Sequence, residues 1–346
     1  MILVQFGDLH LDAVLSGFSG DKSRELRRQA RQLLESVVEL GEKSRADLIL
    51  CTGDLFDSEA PYLDSVLGAA EALGKTEIPV FIAPGNHDPF SPASPYSAVD
   101  WPRNVHVFSS AAAETVELPF CRVTGWANTE KRQSFRPLKN FVCGGGTLPE
   151  ILLFHGEIAE DSPYFHATPE EIAATKADYL ALGHVHAGFQ KTFGSTLAVM
   201  NGGVQSTKLG ETGDKGAVLA NVDSGEAKAA LVNLPGNRSF SAELLDTGEK
   251  ELLAAIRKIP NVEPGRAVVS IVLRGEKQSS LKNIYEKTSD FLKIKIDDRR
   301  RETAKVPTGK SLAALFARRA AETGLDGLAL KFGLAALENR EQPENN

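Results

Sequence analysis

Cysteine is scarce in this chain of 346 residues: Cys51, Cys121 and Cys143 form an odd set without Cys-x-x-Cys spacing, each next to apolar residues. That excludes a disulfide scaffold and a thiolate zinc site, and it predicts small buried hydrophobes in a reducing compartment. No apolar run approaches the ~20 residues of a membrane span, and no basic segment precedes Asp8, so neither an anchor nor a secretory leader is expected. The expected location is the cytoplasm. Internal repeats and low-complexity segments are also missing, which excludes a solenoid. What remains is ordinary globular material, 42% hydrophobic and 25% charged, long enough for two domains.

The net charge of -7 is unevenly shared. Residues 1 to 235 carry 19 Lys/Arg against 30 Asp/Glu, and residues 236 to 346 carry 20 against 16. Bound divalent cations would offset the first excess, and the second suits either a phosphate-facing surface or a solvated face.

Five short strings organise the chain: Asp8-Leu9-His10, Gly53-Asp54-Leu55-Phe56-Asp57, Gly85-Asn86-His87-Asp88, His155-Gly156 and Gly183-His184-Val185-His186. Each follows an apolar, strand-like run: 2–6, 48–52, 80–83, 151–154 and 179–182. An Asp after a strand and a Gly reads, alone, as a turn former or helix cap. In an open α/β sheet, however, the C-terminal strand ends line one edge, so five such strings can converge. Five of the seven histidines lie in them, leaving only His106 and His166 elsewhere.

Carboxylate, imidazole and amide oxygen without thiolate suit a hard or borderline divalent ion such as Mn²⁺. Asp54 has two oxygens to share and is the expected bridge between two ions. Asp8, His10 and His186 would complete one, and Asn86, His155 and His184 the other. Two ions about 3.5–4 Å apart would acidify a shared water and hold phosphoryl oxygens for in-line displacement. His184 and His186 would face opposite sides of a regular strand, so a turn or bulge at Gly183 is needed. His87, beside Asn86, is left to protonate a leaving oxygen or to steady the transition-state charge once a carboxylate fixes its tautomer. Asp57 is the first choice for that carboxylate and Asp88 the second, a helix-cap role being the alternative for both.

Helices are expected from Ser23 through Val38 and over about 61–74, as crossovers between parallel strands. Short strands at 105–108, 114–118 and 121–125 continue the sheet. From 187 onward, runs at 196–200, 217–222 and 228–234 predict an antiparallel sheet stacked on the first. A boundary at Leu234-Pro235-Gly236-Asn237 is followed by strands at 238–243, 266–273 and 292–297 and helices at 248–258 and 280–290. Helices at 310–323 and 326–338 and a polar tail, 341–346, close the chain.

The ordered set Asp-x-His, Gly-Asp-x-x-Asp, Gly-Asn-His-Asp, His-Gly and Gly-His-x-His resembles the calcineurin-like metallophosphoesterase superfamily over residues 1 to about 235. That implies an α/β fold, a four-layer α-β-β-α sandwich, here with a small C-terminal α+β cap domain. Residues 1–235 would be the metallophosphoesterase domain, 236–305 the cap, and 306–346 the terminal helices and tail. The resemblance implies the same two ligand sets, both with Asp54, and makes His87 the catalytic histidine. Asp8-Leu9-His10-Leu11, the Asp54 and His184 strings, and the Asn201-to-Gly216 stretch look most like DNA-repair exonucleases of the SbcD and YhaO type. Asp12 stands where many relatives have Gly, and Asn201 where many have Pro.

The resulting expectation is a Mn²⁺-dependent DNA exonuclease or endonuclease that uses a metal-activated water, with the cap and a loop around Lys208 and Lys215 meeting the nucleic acid backbone, solvated loop charges being the alternative for those lysines. An SbcC-like ATPase and a second protomer are the expected protein partners, and no membrane is. The alternative substrates are cyclic nucleotides, other small phosphodiesters or phosphoproteins. A non-catalytic scaffold is the competing class, and the full set of donors argues against it.

Overall fold

A computed structural model describes residues 1–13, 20–208, 210–301 and 311–324, together with residues 329, 333, 334, 336 and 337. The chain divides into two compact units, Met1–Ala242 with Ile259–Ser270 and Ser289–Lys295, and Glu243–Lys258 with Ile271–Thr288 and Ile296–Asn346.

The first unit holds two six-stranded sheets. One runs β14 (Glu226–Asn233), β13 (Gly216–Asp223), β1 (Ile2–Phe6), β2 (Leu48–Cys51), β3 (Val80–Ile82), β4 (Val105–Val107). The other runs β11 (Phe189–Phe193), β12 (Thr196–Met200), β10 (Tyr179–Gly183), β7 (Glu150–His155), β6 (Cys121–Gly125), β5 (Glu114–Leu118). β1 to β4 are mutually parallel, as are β6, β7, β10 and β12, and the outer strands pair antiparallel. A two-stranded sheet, β8 (Glu157–Ile158) with β9 (His166–Ala167), follows β7.

Side-chain alternation along the strands builds the layers. Val4, Phe6, Ile49 and Cys51 face outward onto Leu33, Leu34 and Val37 of α1 (Gly20–Ser44) and Val66, Ala69 and Leu73 of α2 (Leu63–Leu73). Leu3, Leu48, Leu50 and Phe81 face inward and meet Val123, Ile151, Leu153, Tyr179 and Ala181 of the other sheet. Leu152, Phe154, Leu180 and Leu182 turn outward again onto Ile172 of α3 (Pro169–Thr175). This is the expected α-β-β-α order. Inside the sandwich Gln5 is fully buried: its amide donates to Leu182 O and Val199 O, and its oxygen accepts from Tyr179 Oη at 2.6 Å. This satisfied polar bridge pins one sheet to the other beneath the strand ends.

Two expectations about the strands are corrected. Segments 114–118 and 121–125 do not continue the first sheet but form the edge of the second. The strands after 187 are not a separate antiparallel sheet: β11 and β12 extend the second and β13 and β14 the first. Alternating short runs show which residues share a face, not which sheet the strand joins.

A third sheet follows the order β15 (Arg238–Leu245), β16 (Ala267–Arg274), β17 (Lys293–Asp298), and the division into units crosses all three strands. The second unit contains α4 (Glu249–Lys258), α5 (Leu281–Lys287) and α6 (Leu312–Thr323). Ser280 and Ser311 cap α5 and α6 by accepting from Asn283 N and Ala314 N. Of the helix expected at 326–338, residues 329, 333, 334, 336 and 337 are helical. Its remainder, the tail at 341–346 and positions 14–19 lie outside the described residues. No helix among the described residues is long and apolar enough to cross a membrane.

Candidate metal centre

The parallel register sets the stage. Phe6 pairs with Cys51 and Cys51 with Ile82, so the first three strings leave one sheet edge together. Gly183 pairs with His155 and brings the last two out side by side. Loop 8–11 then zips along loop 53–57: Asp8 N donates to Gly53 O, His10 N to Asp54 O and Leu11 N to Leu55 O, at 2.8–3.0 Å. Asp8, His10, Asp54 and His184 have φ of 49°, 48°, 47° and 95°, left-handed values that cost a non-glycine residue about 1–2 kcal/mol each. Such strain persists where surrounding hydrogen bonds over-determine the backbone. The kink expected at Gly183 falls on His184 itself and brings His184 and His186 to the same side. Two glycines are required by contact. A Cβ on Gly53 would lie 2.7 Å from Ala83 O, and one on Gly85 only 2.1 Å from Asp54 Oδ1.

Asp8 and Asp54 are almost fully buried. Asp54 Oδ2 lies 3.3 Å from His155 Nε2 and 3.8 Å from His10 Nε2, so a single oxygen faces both predicted ligand sets. On one side His10 Nε2 and His186 Nε2 are 3.2 Å apart, and His186 Nε2 is 3.6 Å from Asp8 Oδ1. On the other, Asn86 Oδ1 lies 3.0 Å from His155 Nε2 and 2.8 Å from His184 Nδ1. Asp8 also accepts from His184 N at 3.0 Å, which ties the two sides together.

Outer hydrogen bonds decide which imidazole nitrogens look inward. His155 Nδ1 donates to Thr52 O at 2.8 Å, because a carbonyl can only accept. His10 Nδ1 donates to Asp57 Oδ1 at 3.0 Å and His186 Nδ1 to Glu211 Oε1 at 2.8 Å. When neutral, each ring therefore turns a bare Nε2 toward other acceptors. Lone pairs crowded at about 3 Å need a cation or a proton between them. The protonation tendencies show the same demand. Burial alone would lower His155, but the charge and hydrogen bond of Asp54 raise it to about 9. Burial would raise Asp54, yet His155, His10 and His87 hold it well below the usual carboxylate range. His184 is lowered to about 3, first by burial and then by the neighbouring His155. Asp8–His10–His186, Asp8–Asp54–His155 and His10–Asp54–His87 each bring three ligand atoms within 4.8 Å of one another. This donor set of carboxylate, imidazole and amide oxygen fits divalent cations and offers no thiolate.

His87 sits at the rim, its side chain 37% exposed. Its amide donates to Asp54 Oδ1 at 2.9 Å, and its Nδ1 donates to Asp57 O at 3.1 Å, leaving Nε2 free to face a substrate. Asp57, the expected orienter, thus acts on His87 through its carbonyl and not its carboxylate. The Asp57 carboxylate lies 3.6 Å from His87 Nδ1 and spends its hydrogen bond on His10, while its carbonyl orients His87. Asp88, the second choice, does not orient His87 at all. Its buried carboxylate accepts from Phe56 N, Gly85 N and Tyr96 Oη, and so shapes the loops.

Three other residues were not legible as parts of the site. Glu211 accepts from Thr207 N and Lys208 N; burial would raise its carboxyl, but the hydrogen bond and charge of His186, and then these two amides, hold it at about 2. Tyr164 places its ring 4.5 Å from that of His184. Lys215, expected to meet nucleic acid, is fully buried and donates to His186 O and Gly202 O, so it braces the loop from beneath. Lys208 is exposed.

The two departures from the family pattern have local partners. Asp12, at φ 72°, accepts from Tyr62 N and Ser65 Oγ and so caps α2, whose own N-cap Tyr62 cannot. Asn201 accepts from Thr52 Oγ1 and donates to Gly7 O, a link that proline could not make. All three cysteines are free, and burial pushes the Cys121 and Cys143 thiols up to about 12.

A model of the calcineurin-like phosphoesterase family matches residues 1–188. The chain belongs to this family. YhaO of Bacillus subtilis (strain 168), described as an uncharacterized metallophosphoesterase, is 26% identical over 240 residues, 65% of this chain and 58% of that one. The match thus spans less than two thirds of that relative. Among solved structures, a dimetal phosphatase from Danio rerio is 12% identical with a TM-score of 0.42, over 67% of this chain and 98% of that one. YfcE, a phosphoesterase from E. coli, is 17% identical with a TM-score of 0.35, over 67% of this chain and 100% of that one.

Proposed function

We propose that this protein is a two-metal phosphodiesterase that cleaves DNA at its ends, with residues 1–235 as the nuclease domain and Mn²⁺ as the ion. The observation that carries the reading is the meeting of eight donor and proton-transfer side chains from five strand ends around Asp54. Asp8, His10, Asp54 and His186 would hold one cation, and Asp54, Asn86, His155 and His184 the other. When bound, such a pair supplies positive charge for phosphoryl oxygens and acidifies a water at neutral pH.

The remaining work falls to the protein. Thr52 O, Asp57 and Glu211 hold three rings in the tautomer that presents Nε2. His87, fixed through Nδ1, keeps Nε2 at the open rim to donate a proton to the leaving oxygen. DNA as substrate is supported by the SbcD- and YhaO-like form of the strings and by the basic excess of residues 236–346. A second copy of the chain and an SbcC-like ATPase are the proposed partners, and the cytoplasm the proposed location.

The test compares Mn²⁺-dependent nucleotide release from linear duplex DNA with cleavage of bis-p-nitrophenyl phosphate and of p-nitrophenyl phosphate. Degraded DNA, a cleaved diester and a spared monoester are expected. Intact DNA with fast diester cleavage would replace the substrate by a small phosphodiester, and preference for the monoester would make the protein a phosphatase.

A further inference from the structure

His186 belongs to two features at once. One side of its ring faces the Asp54 cluster, and the residue also lines a cavity of about 320 Å³. This cavity opens where the β11–β12 edge of one sheet stands against the β13–β14 edge of the other. Val199, Met200 and Val218 are among its apolar lining residues, with Phe189 and Leu231, 39% and 40% exposed, and Gln190, Thr212 and Asp214 are among its polar ones. The metal centre does not use this space, and an inorganic phosphate would leave its apolar wall bare.

We propose that this cavity is a subsite for the nucleobase of a nucleotide whose phosphate lies on the Asp54 cluster, an inference that rests on the phosphodiesterase reading above. Three features select a base. The volume is at the lower end of small-molecule sites, about 300–1,000 Å³, and suits one ring system rather than a stretch of duplex. Phe189 brings an aromatic ring to the lining, and an aromatic ring can hold a base by stacking whatever its identity. The lining residues include no lysine or arginine, and Asp214 is acidic, so a neighbouring phosphate is disfavoured. A carboxylate, an amide and a hydroxyl do suit the amino and carbonyl edges of a base. An alkyl chain would leave those groups without partners. The terminal nucleotide would then be gripped at two points, phosphate and base, which fits cleavage at an end where a base can leave the stack.

The probe pair is deoxyadenosine 5′-monophosphate and 2-deoxyribose 5-phosphate, which differ by the base, each tested as an inhibitor of bis-p-nitrophenyl phosphate cleavage in Mn²⁺. The wild type should bind the nucleotide at least about tenfold more tightly than the sugar phosphate. Phe189→Ala, and independently Leu231→Trp, which fills the cavity, should bring that ratio close to one, with folding checked by circular dichroism. Equal inhibition of the wild type by both compounds, or an unchanged ratio in both folded variants, overturns the subsite and leaves the phosphodiesterase reading standing. A wild type that cleaves no diester overturns that reading, and the subsite with it.

Discussion

Asp54 and Asp246 are both buried carboxylates held below the ordinary aspartate range, and they are neutralised in opposite ways. Asp246, in the second unit, is closed by protein alone. Arg300 Nη1 lies 2.6 Å from its Oδ2, Gln278 N and Ser279 N donate to the same oxygen, and both side chains of the ion pair are at most 3% exposed. Asp54 and its neighbour Asp8 have only imidazoles as ion-pair partners among the described residues. A guanidinium is a permanent cation, whereas an imidazole can give up its proton and offer a lone pair. The first arrangement is finished without a ligand. The second is balanced only by protons on imidazoles, His155 above all, and a divalent cation can take the place of those protons, as expected of a place built for cations.

Substitutions at the two carboxylates should fail differently. Asp54→Asn removes the shared oxygen charge and should cut diester turnover by about 10³-fold or more, with a loss of bound metal measured by elemental analysis. Retained turnover would show that Asp54 does not bridge. His87→Ala should leave both ions in place and lower kcat by about 10²–10⁴-fold. Normal hydrolysis by that variant would remove His87 from the chemistry. Arg300→Met should leave metal content and kcat unchanged and destabilise the chain by about 3–5 kcal/mol, read as an earlier denaturation midpoint, because a buried carboxylate loses its cation. Altered metal content there would break the contrast.

Glu211→Gln should weaken metal binding about 10–100-fold, because a neutral amide polarises His186 less than a carboxylate does. The smallest effect concerns acid. The folded pKa of Asp246 is depressed, so its contribution to stability is full above the ordinary value of 3.8 and is lost as the pH falls below it. Acid unfolding of the metal-free protein should show that dependence, and Arg300→Met should show less of it.

Much of this site is legible in the sequence because its ingredients are local. An apolar run, a glycine and then a carboxylate or imidazole mark a strand end, and five such marks need only a parallel sheet to meet. Partners supplied by distant loops were hidden. Glu211 reaches His186 through a Gly-rich turn whose path is not encoded in spacing, and Lys215 sits in a polar run that gives no sign of burial. Asp57 was found, but its carboxylate and carbonyl serve different rings, a division that only three-dimensional contact sets. The layers followed from alternation, while the sheet assignment of β5, β6 and β11–β14 depends on long-range pairing.

The central claim is most directly tested by titrating chelator-stripped protein with Mn²⁺ in a calorimeter, wild type beside Asp54→Asn. The account predicts two equivalents per chain for the wild type and clearly fewer, more weakly held, for the variant. Wild-type protein that takes up no manganese, or a variant that still binds two equivalents with unchanged affinity, would contradict it.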